Sequence, residues 1–384
     1  MADPIQRIRL THLQVPLKEP FRISAGEVTI KDAILVVLET ADGRIGLGES
    51  SPMAASFGYS TDTPDGCWAD LTSRIAPSML GTAPDSPEAI AERAAGWDGC
   101  SRFAIAGAET ACWDLLAQSR HECLAETLGA PEDQLDLGVE SGLAVGLYPS
   151  IVELLRAIET HLAEGYKRVK IKIAPGRDLE LVRAVRQHFG LDLPLMVDAN
   201  AAYSIADLDL FRALDAFDLL MFEQPFAAND LDGLARLQAE VNTPVCIDET
   251  AETPERTAEA IRRGACKIVN IKLQRVGGFG PALKIHNLCQ QQDVACWVGT
   301  MPELGVGQAQ GIHLATLANC KYPTDVEPSA RWFVDDIVEP LIELSSPGLL
   351  QLPADRPGLG YQINAGKLRR YRAREIVYST QLKA

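Results

Sequence analysis

The sequence predicts an α/β barrel preceded by an α+β unit, and three observations predict it. Short apolar runs alternate with amphipathic helical segments at an even spacing, as in consecutive parallel strands buried on both faces. Three neighbouring runs each close on a carboxylate. The first 130 or so residues lack that rhythm and instead show a hairpin signal followed by helices. The centre of the pattern is Pro194 to Thr250, which reads PLMVDAN, LLMFEQP and PVCIDET and ends its runs on Asp198, Glu223 and Asp248. These acids are 25 residues apart in each case (223 − 198 and 248 − 223). A strand, a helix and two short loops need about that length. One acid at the C-terminal end of each of three strands is where a barrel builds its active site. Three such carboxylates repel one another unless a cation lies between them. All-oxygen ligands favour a hard divalent ion, Mg²⁺ before Mn²⁺ or Ca²⁺.

Bulk properties bound the rest. A chain of 384 residues holds two cores, or one barrel with an added unit. A net charge of −16 argues against nucleic acid or an anionic membrane as partner. Nine cysteines without a C-x-x-C pair fit a reduced, cytoplasmic protein rather than a disulfide scaffold or zinc site. MADPIQRIRL has no apolar h-region, and no run of about 18 apolar residues offers a membrane span.

In chain order, residues 5–17 and 30–48 read as strands, with Ala41-Asp42-Gly43 as the hairpin turn. PFRISAGEV, and then residues 50–66, read as loops, either mobile covers for a site or plain connections. Ser86-Pro87 starts a helix with a cap and a first-position proline. Residues 103–118 form another, with Trp113 and Leu116 on one face. The barrel begins near Leu137 with GVESGLAVGL. Its second strand is residues 167–173, its sixth 267–273, its seventh 294–299 and a short eighth lies near Tyr322 to Asp325. Gly165, Gly190 and Gly264 end the helices between. The division expected is 1–130, 131–335 for the barrel, and 336–384 as a segment that returns to the first unit.

The second strand carries Lys170-Ile171-Lys172. Alternation puts both lysines on one face, and the helix-facing side of such a strand is apolar, so the lysines point inward. Lys272 ends the sixth strand. Strands two to six therefore read lysine, acid, acid, acid, lysine, which sets ammonium groups on opposite sides of the acids. Salt-bridged polar layers of the barrel are the alternative.

Taken together, VKIKI, VDANAAY, FEQP, IDET, NIKLQRVGG, WVGTMPELGVG and DVEPSARWF resemble the enolase superfamily, muconate-lactonizing-enzyme subgroup. Within it, the o-succinylbenzoate synthase and N-succinylamino acid racemase branch is the most similar. The resemblance spans nearly the whole chain. It implies a modified TIM barrel, (β/α)7β, with an α+β capping domain whose loops around residues 20–26 and 50–60 shape specificity. It implies Asp198, Glu223 and Asp248 as Mg²⁺ ligands, and Lys172 and Lys272 as the acid/base pair acting on a small carboxylate substrate. Such sites pair a lysine or histidine base with Mg²⁺. None of the six histidines matches a strand-end base, and His286 and His313 lie in helical sequence.

Further candidates carry weaker signals. Lys170 is expected to disfavour the charged form of Lys172. Asn200 shares a face with Asp198 and is read as a ligand donor or a turn former. Glu249 is expected to face away from Asp248 and to support the site from behind. Arg275 in KLQRVGG is read as tuning Lys272 or as a solvated side chain, and Glu303 as a neighbour of Lys272. Ala144 and Glu327 depart from the branch's pattern, and the Asp325-x-Glu327 pair resembles the paired acids with which dipeptide epimerases hold an α-ammonium. Dehydration to o-succinylbenzoate leads, with N-succinyl or N-acylamino acid racemisation as its rival, then muconate cycloisomerisation and dipeptide epimerisation. A catalytically silent Mg²⁺-binding barrel is the non-enzymatic alternative. A homo-oligomer is expected.

Overall fold

A computed structural model describes residues 3–23, 26–53, 61–146 and 148–380. A four-stranded antiparallel sheet opens the chain. In spatial order it runs Arg372–Ser379, Ile5–Ile23, Gly26–Thr40 and Ile45–Ser50. The last strand of the protein thus pairs with the first, Leu10 opposite Ile376 on one side and Val36 on the other. Loop character was expected for PFRISAGEV, but the ladder continues past Pro16 with Phe21 opposite Val28 and Ile23 opposite Gly26. Cross-strand pairing overrides the local proline and glycine signals there, and residues 24–25 lie outside the described residues. Of the second expected loop, residues 54–60 lie outside the described residues. Its last three, Pro64–Gly66, already begin a helix capped by the Thr63 hydroxyl.

The helix Arg102–Arg120 lies directly on the strand Ile45–Ser50. The approach needs glycine: a Cβ at Gly48 would fall 1.9 Å from the Gly107 carbonyl oxygen. Trp113 and Leu116 are both buried, as their spacing predicts. Ser86 caps Pro87–Ala95 by accepting a hydrogen bond from the Ala89 N–H at 3.1 Å.

The barrel is a seven-stranded parallel sheet in sequence order. Its strands are Leu143–Val145, Val169–Lys172, Leu195–Asp198, Phe222–Glu223, Val245–Ile247, Ile268–Ile271 and Ala295–Val298. GVESGLAVGL is divided: Val139–Glu140 pairs antiparallel with Leu349–Leu350, and only Leu143–Val145 joins the barrel. The eighth position holds a hydrogen-bonded segment instead of a regular strand. The Lys321 and Asp325 N–H groups donate to Cys296 and Val298 on one side, and the Thr324 N–H donates to Glu140 on the other. Pro323, which has no N–H, interrupts a regular ladder while leaving the barrel closed. Gly190, at φ 80°, ends the helix Leu179–Phe189 in the left-handed region its absent Cβ allows.

Inside the barrel, Met196, Met221, Cys246, Ile268 and Trp297 pack as one apolar layer. Two residues further along the same faces come Asp198, Glu223, Asp248 and Asn270, with Lys272 beyond Asn270. Alternation thus lifts the polar groups onto an apolar floor. Among the described residues, no helix is long and apolar enough to cross a membrane.

Candidate active site

Asp198, Glu223 and Asp248 are buried at the C-terminal ends of three adjacent strands. Lys172 reaches them from one side. Its Nζ lies 2.6 Å from Asp198 Oδ2 and donates to Asn200 Oδ1, also at 2.6 Å. On the other side Lys272 Nζ donates to Asp248 Oδ2 at 2.9 Å. Both lysines, with Lys170 and Asp198, line one cavity whose apolar wall includes Met53, Met301 and Trp332. Burial opposes the charge of Lys272, but the carboxylates around it, Asp248 first, raise its pKa above the ordinary value, while Arg275 pulls it down.

Lys170 and Lys172 repel each other, and Lys170 is also held by acids. It forms an ion pair with Asp325 and lies 3.3 Å from Glu223 Oε2. Burial opposes its charge, yet Asp325 and then Glu223 hold its pKa above the usual lysine value. Arg168 Nη2 takes the other Asp325 oxygen at 2.7 Å. Both cations lie over Trp297, the Arg168 Cζ and Lys170 Nζ being 5.1 and 5.0 Å from a ring centroid. That ring and the shared carboxylate explain how the barrel interior tolerates two cations.

Arg275 is 3% exposed rather than solvated, and its Nη2 donates to Asp248 Oδ1 at 2.6 Å. Asp248 is therefore shared by two cations and lies well below the usual carboxylate range, burial notwithstanding. The strand ends at Ile247, and residues 248–250 turn. Glu249 Oε1 consequently accepts from Asn200 Nδ2 at 3.3 Å, on the side of the site, and burial followed by the Asp248 charge raises its carboxyl. Asn200 takes the turn conformation its sequence position allowed, with φ 42°, and its side chain accepts from Lys172. Glu303 lies within electrostatic reach of Lys272, but its stronger ties are elsewhere. Both its oxygens accept the Met301 N–H at 3.0 Å, and its strongest electrostatic partner is Lys31.

Several contributors escaped the sequence reading. Asn270 Nδ2 donates to Glu223 Oε1 at 2.8 Å. It lies two residues before Lys272, so the alternation that found Lys170 and Lys172 would have found it too. Gln224 Oε1 accepts from the Asp248 and Thr250 N–H groups and fixes the third acid-bearing turn. Lys31 and Glu49 come from the capping sheet, where no motif marks them. Burial lowers Lys31 to about 8, against the attraction of Glu303 and then Glu49. His313 is a structural residue: it accepts the Ala125 N–H and contacts the Leu359 carbonyl, and burial lowers it to about 4.

Among the described residues, no three Asp, Glu, His or Cys side chains are drawn together as a ready-made metal ligand set. The ammonium groups lie on the carboxylate oxygens instead. The donors nevertheless fit a hard divalent cation. All are oxygens, and the buried Glu223 Oε2 receives no hydrogen bond. Burial and then the charge of Asp198 push the Glu223 carboxyl up to about 8, a repulsion that a cation between the acids would relieve.

Fold and site together define a capped (β/α) barrel enzyme whose mouth sets two lysines against a row of carboxylates. Residues 5–129 match the mandelate racemase/muconate lactonizing enzyme N-terminal domain, and residues 153–367 the enolase C-terminal domain-like family. The chain belongs to the mandelate racemase/muconate lactonizing enzyme family of the enolase superfamily. It is 39% identical to an o-succinylbenzoate synthase of Geobacillus stearothermophilus, covering 97% of this chain and 96% of that one. It is 38% identical to an N-succinylamino acid racemase of Thermus thermophilus, covering 94% and 95%. A solved enolase-superfamily member from Listeria innocua superposes with a TM-score of 0.91 at 34% identity, covering 98% and 99%.

Proposed function

We propose that the enzyme is a Mg²⁺-dependent o-succinylbenzoate synthase, in which Lys172 removes the proton next to the substrate carboxylate. The observation that carries this is the placement of Lys172 and Lys272 on opposite sides of one cavity, each ammonium held by a carboxylate at a strand end. Asp198, Glu223 and Asp248 would hold Mg²⁺, which when bound supplies positive charge to the substrate carboxylate and so acidifies the adjacent C–H. Asn200 Oδ1 orients the Lys172 amine, whose neutral form accepts the α-proton. The C–H electrons move into an enediolate, and the Lys272 ammonium stabilises that charge without transferring a proton. Lys172 then returns its proton to the departing hydroxyl. Water leaves, and the new ring double bond completes the aromatic product.

Racemisation of N-succinylamino acids in the same site is the second reading, and Arg275 favours it. By taking one oxygen of Asp248, Arg275 weakens the ion pair that keeps Lys272 protonated. A neutral Lys272 is what proton removal from the second face requires. Dipeptide epimerisation has less support. Asp325 is occupied by Arg168 and Lys170, and Glu327 accepts the Ala144 N–H at 2.8 Å on one oxygen with Arg331 3.5 Å from the other, so the two acids do not stand open as a pair for an α-ammonium.

The test is conversion of the cyclohexadiene hydroxy-acid precursor to o-succinylbenzoate, run beside exchange of the α-proton of both enantiomers of an N-succinylamino acid in D₂O. Excess EDTA should abolish both activities and Mg²⁺ should restore them. Full turnover in EDTA would overturn the metal assignment. α-Proton exchange without dehydration would leave racemisation as the activity.

A further inference from the structure

We infer that Lys31 is a positioning residue for substrate selection: it pins the cap segment Ser51–Met53 to the barrel segment Met301–Glu303 and so sets how far apart Met53 and Met301 stand across the cavity. The inference rests on the proposed reaction only in taking that cavity as the substrate's.

Lys31 lies on the strand Gly26–Thr40 and is 1% exposed. Its Nζ donates to the Ser51 carbonyl at 2.9 Å and to the Met301 carbonyl at 3.2 Å. The Pro52 carbonyl and Met53 Sδ complete the surroundings at 3.4 and 3.6 Å. An ammonium has three donors and no acceptor, so one buried among carbonyls from two separate segments ties those segments together. Burying that charge is costly unless anions offset it. Glu303, on the barrel side, provides the largest attraction, ahead of Glu49 and Asp32. Met53 and Met301 are themselves cavity walls. Lys31 therefore acts on the shape of the cavity through two residues that line it, without reaching the acids and lysines of the mouth.

The surrounding joint leaves little slack. Glu49 accepts the Leu304 and Gly307 N–H groups at 2.7 and 2.8 Å, at the start of the helix Gly305–Ala315, and also the Ser51 hydroxyl. Gln274 accepts the Ser51 N–H at 3.0 Å and donates to the Glu49 carbonyl at 2.7 Å. A Cβ at Gly307 would fall 2.5 Å from the Cβ of Glu303, so the helix packs this closely on that loop only because residue 307 is glycine. Cap and barrel are thus fixed behind the cavity by Glu49 and Gln274. Lys31 fixes them at the cavity itself.

The experiment uses the full-length enzyme carrying Lys31→Met, which keeps the buried stem and removes the donors. The companion Lys31→Met/Glu303→Gln variant also removes the carboxylate left uncompensated, in case the single variant does not fold. Hydrogen exchange is followed by mass spectrometry over residues 49–53 and 299–304, with α-proton exchange of N-succinylalanine and N-succinylphenylalanine beside it. The two segments should lose protection together, by about tenfold, as expected when a hydrogen bond to a charged group is removed. The ratio of kcat/KM between the large and small substrates should shift by about tenfold, through KM more than kcat. Protection lost in one segment alone, or unchanged in both, overturns the clamp. An unchanged substrate ratio with a lowered Tm makes Lys31 a stability residue and overturns its part in selection. If the wild-type enzyme exchanges no α-proton of an N-succinylamino acid, the racemase reading fails while dehydration is judged on its own substrate, and the hydrogen-exchange comparison still decides whether Lys31 couples the segments.

Discussion

Two lysines face the same cavity from opposite sides, and their surroundings differ. Lys172 bonds an amide oxygen of Asn200 as well as Asp198, and its side chain is 15% exposed. Lys272 is 7% exposed and shares its carboxylate, Asp248, with Arg275. An amide oxygen accepts from an amine and from an ammonium alike, so Asn200 keeps Lys172 in place through both halves of a proton transfer. The Asp248–Arg275 arrangement instead responds to charge: the carboxylate favours a cationic Lys272 and the guanidinium opposes it. The first environment suits a group that moves a proton twice. The second suits a group held cationic, an electrostatic stabiliser in dehydration, whose guanidinium neighbour eases the proton loss that racemisation would require.

The largest expected effect tests the Lys172 side. Lys172→Ala should lower dehydration and α-proton exchange toward the upper end of the range of about 10²- to 10⁴-fold that general acid–base catalysis contributes. The comparison breaks if D₂O exchange of both enantiomers stays within a few-fold of wild type.

Lys272→Arg comes next and sharpens the contrast, because arginine keeps the charge and cannot act as a base. Dehydration should survive at a level reduced by about 10²- to 10³-fold, the scale of losing one well-placed stabilising donor. Exchange of one N-succinylamino acid enantiomer should persist through Lys172 while the other is lost. Equal loss of both enantiomers would mean that the two sides do not work separate faces of the substrate.

How much of this was legible in the sequence follows from the range of each interaction. The acids and lysines stood out because strand alternation and the strand–helix repeat are local, and Lys170, Lys172, Asp198, Glu223, Asp248 and Lys272 all obey them. Glu249 lies two residues past the end of its strand, where alternation no longer fixes a side chain's direction, so its bond to Asn200 could not be read from the pattern. Arg275 was left between two roles because only the fold brings it 2.6 Å from an acid 27 residues earlier. Lys31 was invisible for a related reason. Nothing in TIKDAILVV marks it, and only the fold brings it against Ser51, Pro52 and Met53 of the cap and Met301 of the barrel, 270 residues away. The eighth barrel position was expected as a strand, but Pro323 withholds an N–H, and closure rests on a few scattered backbone bonds to each neighbour.

The smallest expected effect isolates what Asn200 contributes to the Lys172 side. Alanine is the wrong probe, since a φ of 42° strains any side chain bearing a Cβ, and the result would mix strain with the lost hydrogen bond. Glycine adopts that conformation freely. Asn200→Gly should therefore leave the bond from its own N–H to Asp198 Oδ1, at 2.9 Å, and remove the acceptor for Lys172 together with the donor to Glu249. A hydrogen bond to a charged group contributes about 1.5–3 kcal/mol, so kcat should fall by roughly tenfold or somewhat more. KM should hold steady if Asn200 orients the lysine rather than the substrate. Dehydration and exchange of the enantiomer served by Lys172 should fall together, while exchange through Lys272 stays nearer its wild-type rate. A uniform loss across both enantiomers would show that Asn200 supports the acids as a group, and the two sides of the mouth would then be less independent than their contacts imply.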